Sequence, residues 1–194
     1  MTTAGDRFPS GELTARRERW RARHWRRALI AFAAVVIAFC AVTARLFVLP
    51  DRGAPARVSA IVMLDAPGNT LGVATRFAAQ HRARFLVLSL GTPASSYGCP
   101  RPMPRVTLIC FNPRPATTQG EAEYVGRLAR KYQWRSVAVV AITPQASRAR
   151  LRVERCFAGP VYVTTAPVAL RSWPYEIAYE WGALFKALVI QRAC

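Results

Sequence analysis

The sequence predicts an α/β fold, a three-layer, doubly wound, mostly parallel Rossmann-like sheet of five strands, preceded by one transmembrane helix. Three observations carry this. Five short apolar runs, 58–64, 85–90, 106–111, 136–142 and 161–165, have the unbroken hydrophobic character of strands buried on both faces. Stretches with apolar residues at helical spacing, 71–82, 118–132, 147–157 and 175–191, fall between and after them, the order that gives a parallel sheet covered by helices. Near the amino terminus, residues 28–44 are uncharged and follow a run of arginines.

The elements are punctuated by local chemistry. The first strand ends in Asp65-Ala66-Pro67-Gly68-Asn69-Thr70 and the second in Ser89-Leu90-Gly91-Thr92; a loop rich in Pro, Gly and Ser leads to the third. Thr117 and Thr118 precede a helical run with Glu121 a turn later, so a threonine hydroxyl can accept from the first free amides while the carboxylate reaches back. The turn Thr143-Pro144-Gln145-Ala146-Ser147-Arg148 follows the fourth strand in the same way, and Pro174 suits the start of the last helix. That helix carries Ile177, Trp181, Leu184, Phe185 and Leu188, expected to pack on the sheet.

The apolar segment divides the chain into a basic tail (1–27), a transmembrane helix acting as signal anchor (28–49), a linker (50–57) and an α/β domain (58–194). About 20 apolar residues span a bilayer, and Arg45 near the end can extend its head group to the interface. Cationic residues cluster on the cytoplasmic side, so the arginines at 16–27 put the amino terminus there and the domain outside, in a single-pass protein of the plasma membrane. A cleaved signal peptide is the competing reading, with Val42-Thr43-Ala44 resembling a cleavage site.

The net charge of +18 comes from twenty-six arginines and two lysines against ten acids. Residues 51–194 hold nineteen basic and seven acidic groups. On an extracytoplasmic domain this surplus excludes genomic nucleic acid and suits anionic lipid or envelope polymers, or simply a solvated basic surface. Cys99, Cys110, Cys156 and Cys194 lie where disulfides form. Cys99 and Cys110 flank the proline-rich loop and are the first pair; Cys156 or Cys194 can take part instead. No CxxC spacing occurs, and His81, late in a helix, is the one histidine outside the tail, so no metal is expected.

Right-handed crossovers bring every strand-to-helix turn to one edge, where open α/β sheets bind ligands. The candidate ligand-binding residues are Asp65, Gly68, Asn69, Ser89, Gly91, Thr117, Thr118, Thr143 and Arg148. Arg148 can grip a phosphate or carboxylate with two donors. Arg150, Arg152 and Arg155 are expected to form a solvated face, partly balanced by Glu154. Asp65 and Glu121 are the candidate acids or bases, although a turn aspartate and a capping glutamate are as readily structural. Glu180 sits among aromatics and, if buried, requires a partner such as an arginine. No nucleotide-binding, hydrolase or metalloprotease motif is present, and no cofactor is specified.

The strand 58–64, the Ser89-Leu90-Gly91 turn, the run Pro115-Ala116-Thr117-Thr118-Gln119-Gly120-Glu121-Ala122 and the helix ending in Cys156-Phe157 resemble the SanA/YdcF/ElyC-like family of bacterial envelope proteins, especially actinobacterial members with a membrane anchor. The resemblance covers about 58–190. It implies a Rossmann-like fold, envelope association and links to wall integrity, with a nucleotide-like cofactor associated with one branch. Two positions depart from the pattern: Asp65-Ala66-Pro67-Gly68 replaces a Gly-rich turn, and Gln145 and Ser147 stand where relatives carry a histidine. Together these lead to an expected role in binding a small anionic ligand or cell-wall precursor; the alternatives are a hydrolase or transferase acting on a phosphorylated or glycosylated lipid-linked intermediate, and a non-catalytic scaffold.

Overall fold

Each apolar run has two faces to bury, and the runs do so by pairing in one sheet. In the computed structural model, which describes residues 10–53, 55–80, 82–91 and 98–194, these are β1 (Ala60–Met63), β2 (Phe85–Ser89), β3 (Thr107–Phe111), β4 (Val137–Ile142) and β5 (Val161–Ala166). All neighbours are parallel and the order is β3-β2-β1-β4-β5. The direction of winding therefore reverses between β1 and β4, the switch point at which such sheets open a crevice. His81 and Thr92 lie outside the described residues.

Side chains alternate across the sheet with period two. Val62, Val87 and Val139 face α3 (Thr118–Lys131) and α4 (Ala146–Cys156), whose Ala122, Val125, Ala149 and Val153 complete that core. Ile61, Met63, Leu86 and Leu88 face the other way, onto Ala74 and Ala78 of α2 (Thr70–Ala79). Helices thus cover both faces. Burying each such aliphatic side chain is worth ~1.5–3 kcal/mol.

The last helix, α5 (Trp173–Phe185), continues as a π-helical turn Lys186–Ile190 and departs from the expectation. It packs on α4, outside the layer that covers the sheet. Its inward face is Glu176, Glu180, Leu184 and Ala187, while Phe185 and Leu188 are exposed and Ile177 and Trp181 only partly covered. A buried ion pair described below sets that orientation.

The amino-terminal helix α1 (Ser10–Thr43) begins well inside the segment expected to be a tail, and a π-helical turn Ala44–Val48 follows it. Arg23–Val48 is long and apolar enough to cross a membrane. The chain forms two compact units, Met1–Val42 and Thr43–Cys194, so the folded domain begins earlier than residue 58. Phe47 is fully buried, edge-on to Trp181 with ring centroids 5.3 Å apart, and the Ser147 hydroxyl donates to the Leu46 carbonyl at 2.6 Å. Gly53 forms a bridge with Val163. The end of the expected membrane helix is thereby tied to α4 and α5, and the stretch expected as a linker to β5.

Two disulfides are present, Cys99–Cys110 and Cys156–Cys194. The first is the expected pair. The second, closing a separation of 38 residues, fixes the carboxyl terminus to the end of α4; Cys40 is free. Thiol titration of the unreduced, unfolded chain should count one reactive cysteine. Cys194→Ser should lower stability by about 4 kcal/mol, from the loop-closure entropy of that separation, read as a fall in denaturant midpoint in detergent micelles.

Candidate functional site

A cleft of about 450 Å³ opens at the carboxyl ends of the strands, over the switch point. Asp65, Ala66 and Pro67 after β1, Gly91 after β2, Pro113 and 116–119 after β3, and Ile142 and Gln145 at the end of β4 form its floor and one wall. Arg148 and Arg152 of α4 and Tyr175, Glu176, Tyr179 and Glu180 of α5 form the opposite wall.

Of the sequence-predicted residues, Asp65, Gly91, Thr117, Thr118, Glu121 and Arg148 line this cleft. Gly68, Asn69, Ser89 and Thr143 are not among its lining. Asn69 instead caps α2, accepting from the Gly72 amide at 3.0 Å. Thr143 lies buried with its hydroxyl 3.5 Å from the Ala166 carbonyl. Ser89 is fully buried below the cleft floor. Ser147, on the predicted edge, holds the Leu46 carbonyl and does not line the cleft.

Arg148 is already engaged. Its Nε and Nη2 donate to Glu180 Oε2 and Oε1, both at 2.6 Å, and its Nη1 donates to Thr118 Oγ1 at 2.7 Å. The two-donor grip expected for a ligand is thus closed on this chain's own carboxylate, which identifies the partner that Glu180 required. Burial works to lower the Arg148 pKa, but the Glu180 carboxylate outweighs it and keeps the guanidinium charged. The solvated arginine face is likewise corrected. Arg152 is buried and donates to the Gln191 carbonyl and side chain; Arg155 donates to the Ala187 and Gln191 carbonyls. Carbonyls at a helix end lack intrahelical donors, and these arginines supply them. Arg150 turns to the Asp51 carbonyl.

Glu121 departs from the capping box. Thr117 does cap α3, accepting from the Gly120 amide at 3.3 Å, and Gly120 is needed because a Cβ there would overlap the Pro115 carbonyl. The Glu121 carboxylate, however, crosses to β1 and accepts from the Asp65 amide at 2.7 Å. It is 3% exposed, and burial pushes its pKa up to about 7; the nearby Ser89 hydroxyl, the Asp65 amide and Arg148 oppose the rise, and the Asp65 charge adds to it. The Ser89 hydroxyl makes no hydrogen bond of good geometry among the described residues, so the Asp65 amide is the firmer contact. Gly91, at φ +60°, lets Asp65 sit where it does, since a Cβ would coincide with the carboxylate.

Gln145 is the residue with unused capacity. Its Nε2 lies 3.5 Å from Thr118 Oγ1, while Oε1 is buried with no hydrogen-bond partner among the described residues. A buried unpaired amide oxygen costs about 1–3 kcal/mol. Thr118 and Gln119, which line the cleft, stand in the first turn of α3, where amides have no intrahelical acceptor. Glu176, at the rim, has its pKa raised by burial and by Glu180, against Arg148. Acids and bases lining the cleft nearly balance, so any preference for an anion comes from these amides. The aromatic and acidic residues of α5 escaped sequence reasoning as site residues. The signal that pointed to them was Glu180 among aromatics, opposite Arg148 and Arg152 at helical spacing.

Comparison of the chain with protein-family models, with curated proteins and with solved structures finds no match. Function rests on the geometry of the site. Among the described residues no group of three His, Cys, Asp or Glu is placed to hold a metal ion.

Two predictions follow from the charges. Arg148→Met should lose about 3–5 kcal/mol by stranding the buried Glu180 carboxylate, and Arg148→Met with Glu180→Leu should recover much of it in denaturant unfolding. For Glu121, the unfolded chain ionises near 4.5 while the folded protein holds its proton to about 7. Stability is therefore greatest below the unfolded value and declines as pH rises through this window, by up to ~3 kcal/mol. Glu121→Gln should reduce that slope, leaving the smaller contribution of Glu176.

Proposed function

We propose that this chain is a single-pass, membrane-anchored envelope protein, amino terminus cytoplasmic, whose α/β domain binds a small ligand from the envelope in the switch-point cleft. The Gln145 side chain, which lines the cleft with its Oε1 buried and unpartnered among the described residues, carries the reading: that oxygen needs a donor, and a ligand hydroxyl or amide reaching it from the cleft would provide one. An anionic group on the same ligand has its place at the start of α3, against the Thr118 and Gln119 amides and the positive end of the helix dipole. Phosphorylated or carboxylated, hydroxyl-rich precursors of wall polymers combine both features. The resemblance to the SanA/YdcF/ElyC-like family supports the same class of role.

A hydrolase or transferase acting on a phosphorylated or glycosylated lipid-linked intermediate is the second reading, and one observation favours it. A cleft carboxyl with a pKa of about 7 is held in the range where a general acid or base works best. Arg148, committed to Glu180, serves either reading by shaping the wall.

Thermal unfolding of the full-length protein in micelles with inorganic phosphate, a nucleotide sugar and a polyprenyl phosphate checks the proposal. A ligand at a hundred times its Kd should stabilise by about 2.7 kcal/mol. Gln145→Ala should weaken that effect while leaving the unliganded protein at least as stable. No stabilisation by any of the three, or equal stabilisation of Gln145→Ala, counts against the cleft. Product formation lost in Glu121→Gln with binding retained would select the enzymatic reading.

A further inference from the structure

The carboxyl-terminal helix is turned inside out. From 173 to 190 the charged residues are Glu176, Glu180 and Lys186, and both acids are buried. Its outward side instead carries Tyr175 at 68% exposure, Phe185 at 60% and Ile190 at 68%, with Tyr179 and Val189 about half exposed. These positions fall on one side of the helix, Tyr175 and Tyr179 four apart and Phe185 and Val189 likewise. A contiguous exposed apolar face of this kind marks an interaction surface. Singly exposed apolar residues would need no explanation; here the exposed side is apolar while the two carboxylates of the helix lie inside.

The chain itself indicates what covers it. The apolar segment long enough to cross a membrane ends at Val48, and its last residues belong to the folded domain. Phe47 is buried against Trp181 of α5, the Trp181 Nε1 donates to Thr43 Oγ1 at 3.2 Å, and Leu49, just past the end, is 66% exposed. Where such a segment leaves the bilayer, the helix that holds its end is at the level of the head groups. There, tyrosines sit with the ring in the apolar boundary and the hydroxyl in water, and Lys186 can extend its amine to lipid phosphates.

We propose that the α5 face of Tyr175, Tyr179, Phe185 and Val189 docks onto the lipid surface beside the point where the membrane segment emerges. It inserts roughly 5–10 Å into the boundary between head groups and chains, as interfacial helices do. Because Tyr175 and Tyr179 also line the cleft, the cleft mouth then opens at the membrane surface, within reach of lipid-linked ligands. The proposal rests on the reading of the apolar segment as an uncleaved span, and it holds for either side of the membrane.

The test uses the full-length protein carrying Cys40→Ala in vesicles of neutral and anionic phospholipid, with single cysteines labelled by an environment-sensitive fluorophore. Phe185→Cys and Val189→Cys report on the face, Phe32→Cys on the span, and Arg130→Cys, exposed on α3, on water. Intact mass and unchanged unfolding temperature check that both disulfides and the fold survive. The expected result is severalfold stronger quenching by lipid-borne nitroxide at 185 and 189 than at 130, with protection from aqueous iodide. Iodide quenching at 185 and 189 equal to that at 130, while 32 remains in lipid, overturns docking and leaves the anchor standing. Shielding from both quenchers overturns it in favour of a second copy of the chain. Aqueous exposure at 32 as well removes the anchor and the docking together. None of these readouts depends on ligand, so failure of the cleft reading is seen separately.

Discussion

The ion pair between Arg148 and Glu180 is the constraint on which the outer half of this domain depends. Two charges with little solvent access must meet with good geometry or cost several kcal/mol, and here two guanidinium nitrogens meet both carboxylate oxygens while the third reaches Thr118. That contact joins α4, α5 and the start of α3. It therefore sets the width of the cleft as well as the seat of the last helix.

Once Glu180 faces inward, the remaining features of α5 follow. Glu176, Leu184 and Ala187 lie on the same side and are buried with it, and the tyrosines, Phe185 and Val189 turn outward. The carbonyls at the end of the π-helical turn come within reach of Arg152 and Arg155, and Cys194 reaches Cys156. Arginines that resemble a solvated stripe become the attachment of the carboxyl terminus. The π-helical turn at 44–48 joins the same assembly through Phe47 and Ser147, so the exit of the apolar segment and the last helix share one foundation.

Glu121 plays a comparable part at the floor of the cleft. By accepting from the Asp65 amide it ties the start of α3 to the end of β1 across the switch point, and burial gives it a proton affinity suited to neutral pH. A residue that serves as a strut and titrates near neutrality links the shape of the cleft to its charge. Gln145, whose Oε1 has no partner among the described residues, lines the same cleft.

The sequence by itself determined the sheet, its strands, the flanking helices and the apolar segment, because burial on one or two faces writes its period into the chain. It also determined which residues line the cleft edge: Asp65, Gly91, Thr117, Thr118 and Arg148 come together because parallel crossovers place strand ends on one side, whatever the side chains do. Tertiary structure alone decided how those side chains were spent. Glu121 went to a neighbouring strand rather than its own helix, Arg148 to Glu180, and the apolar side of α5 to the outside. Those outcomes depend on which groups meet across 32 or 56 positions of sequence, and periodicity, a local property, carries no information about partners that distant.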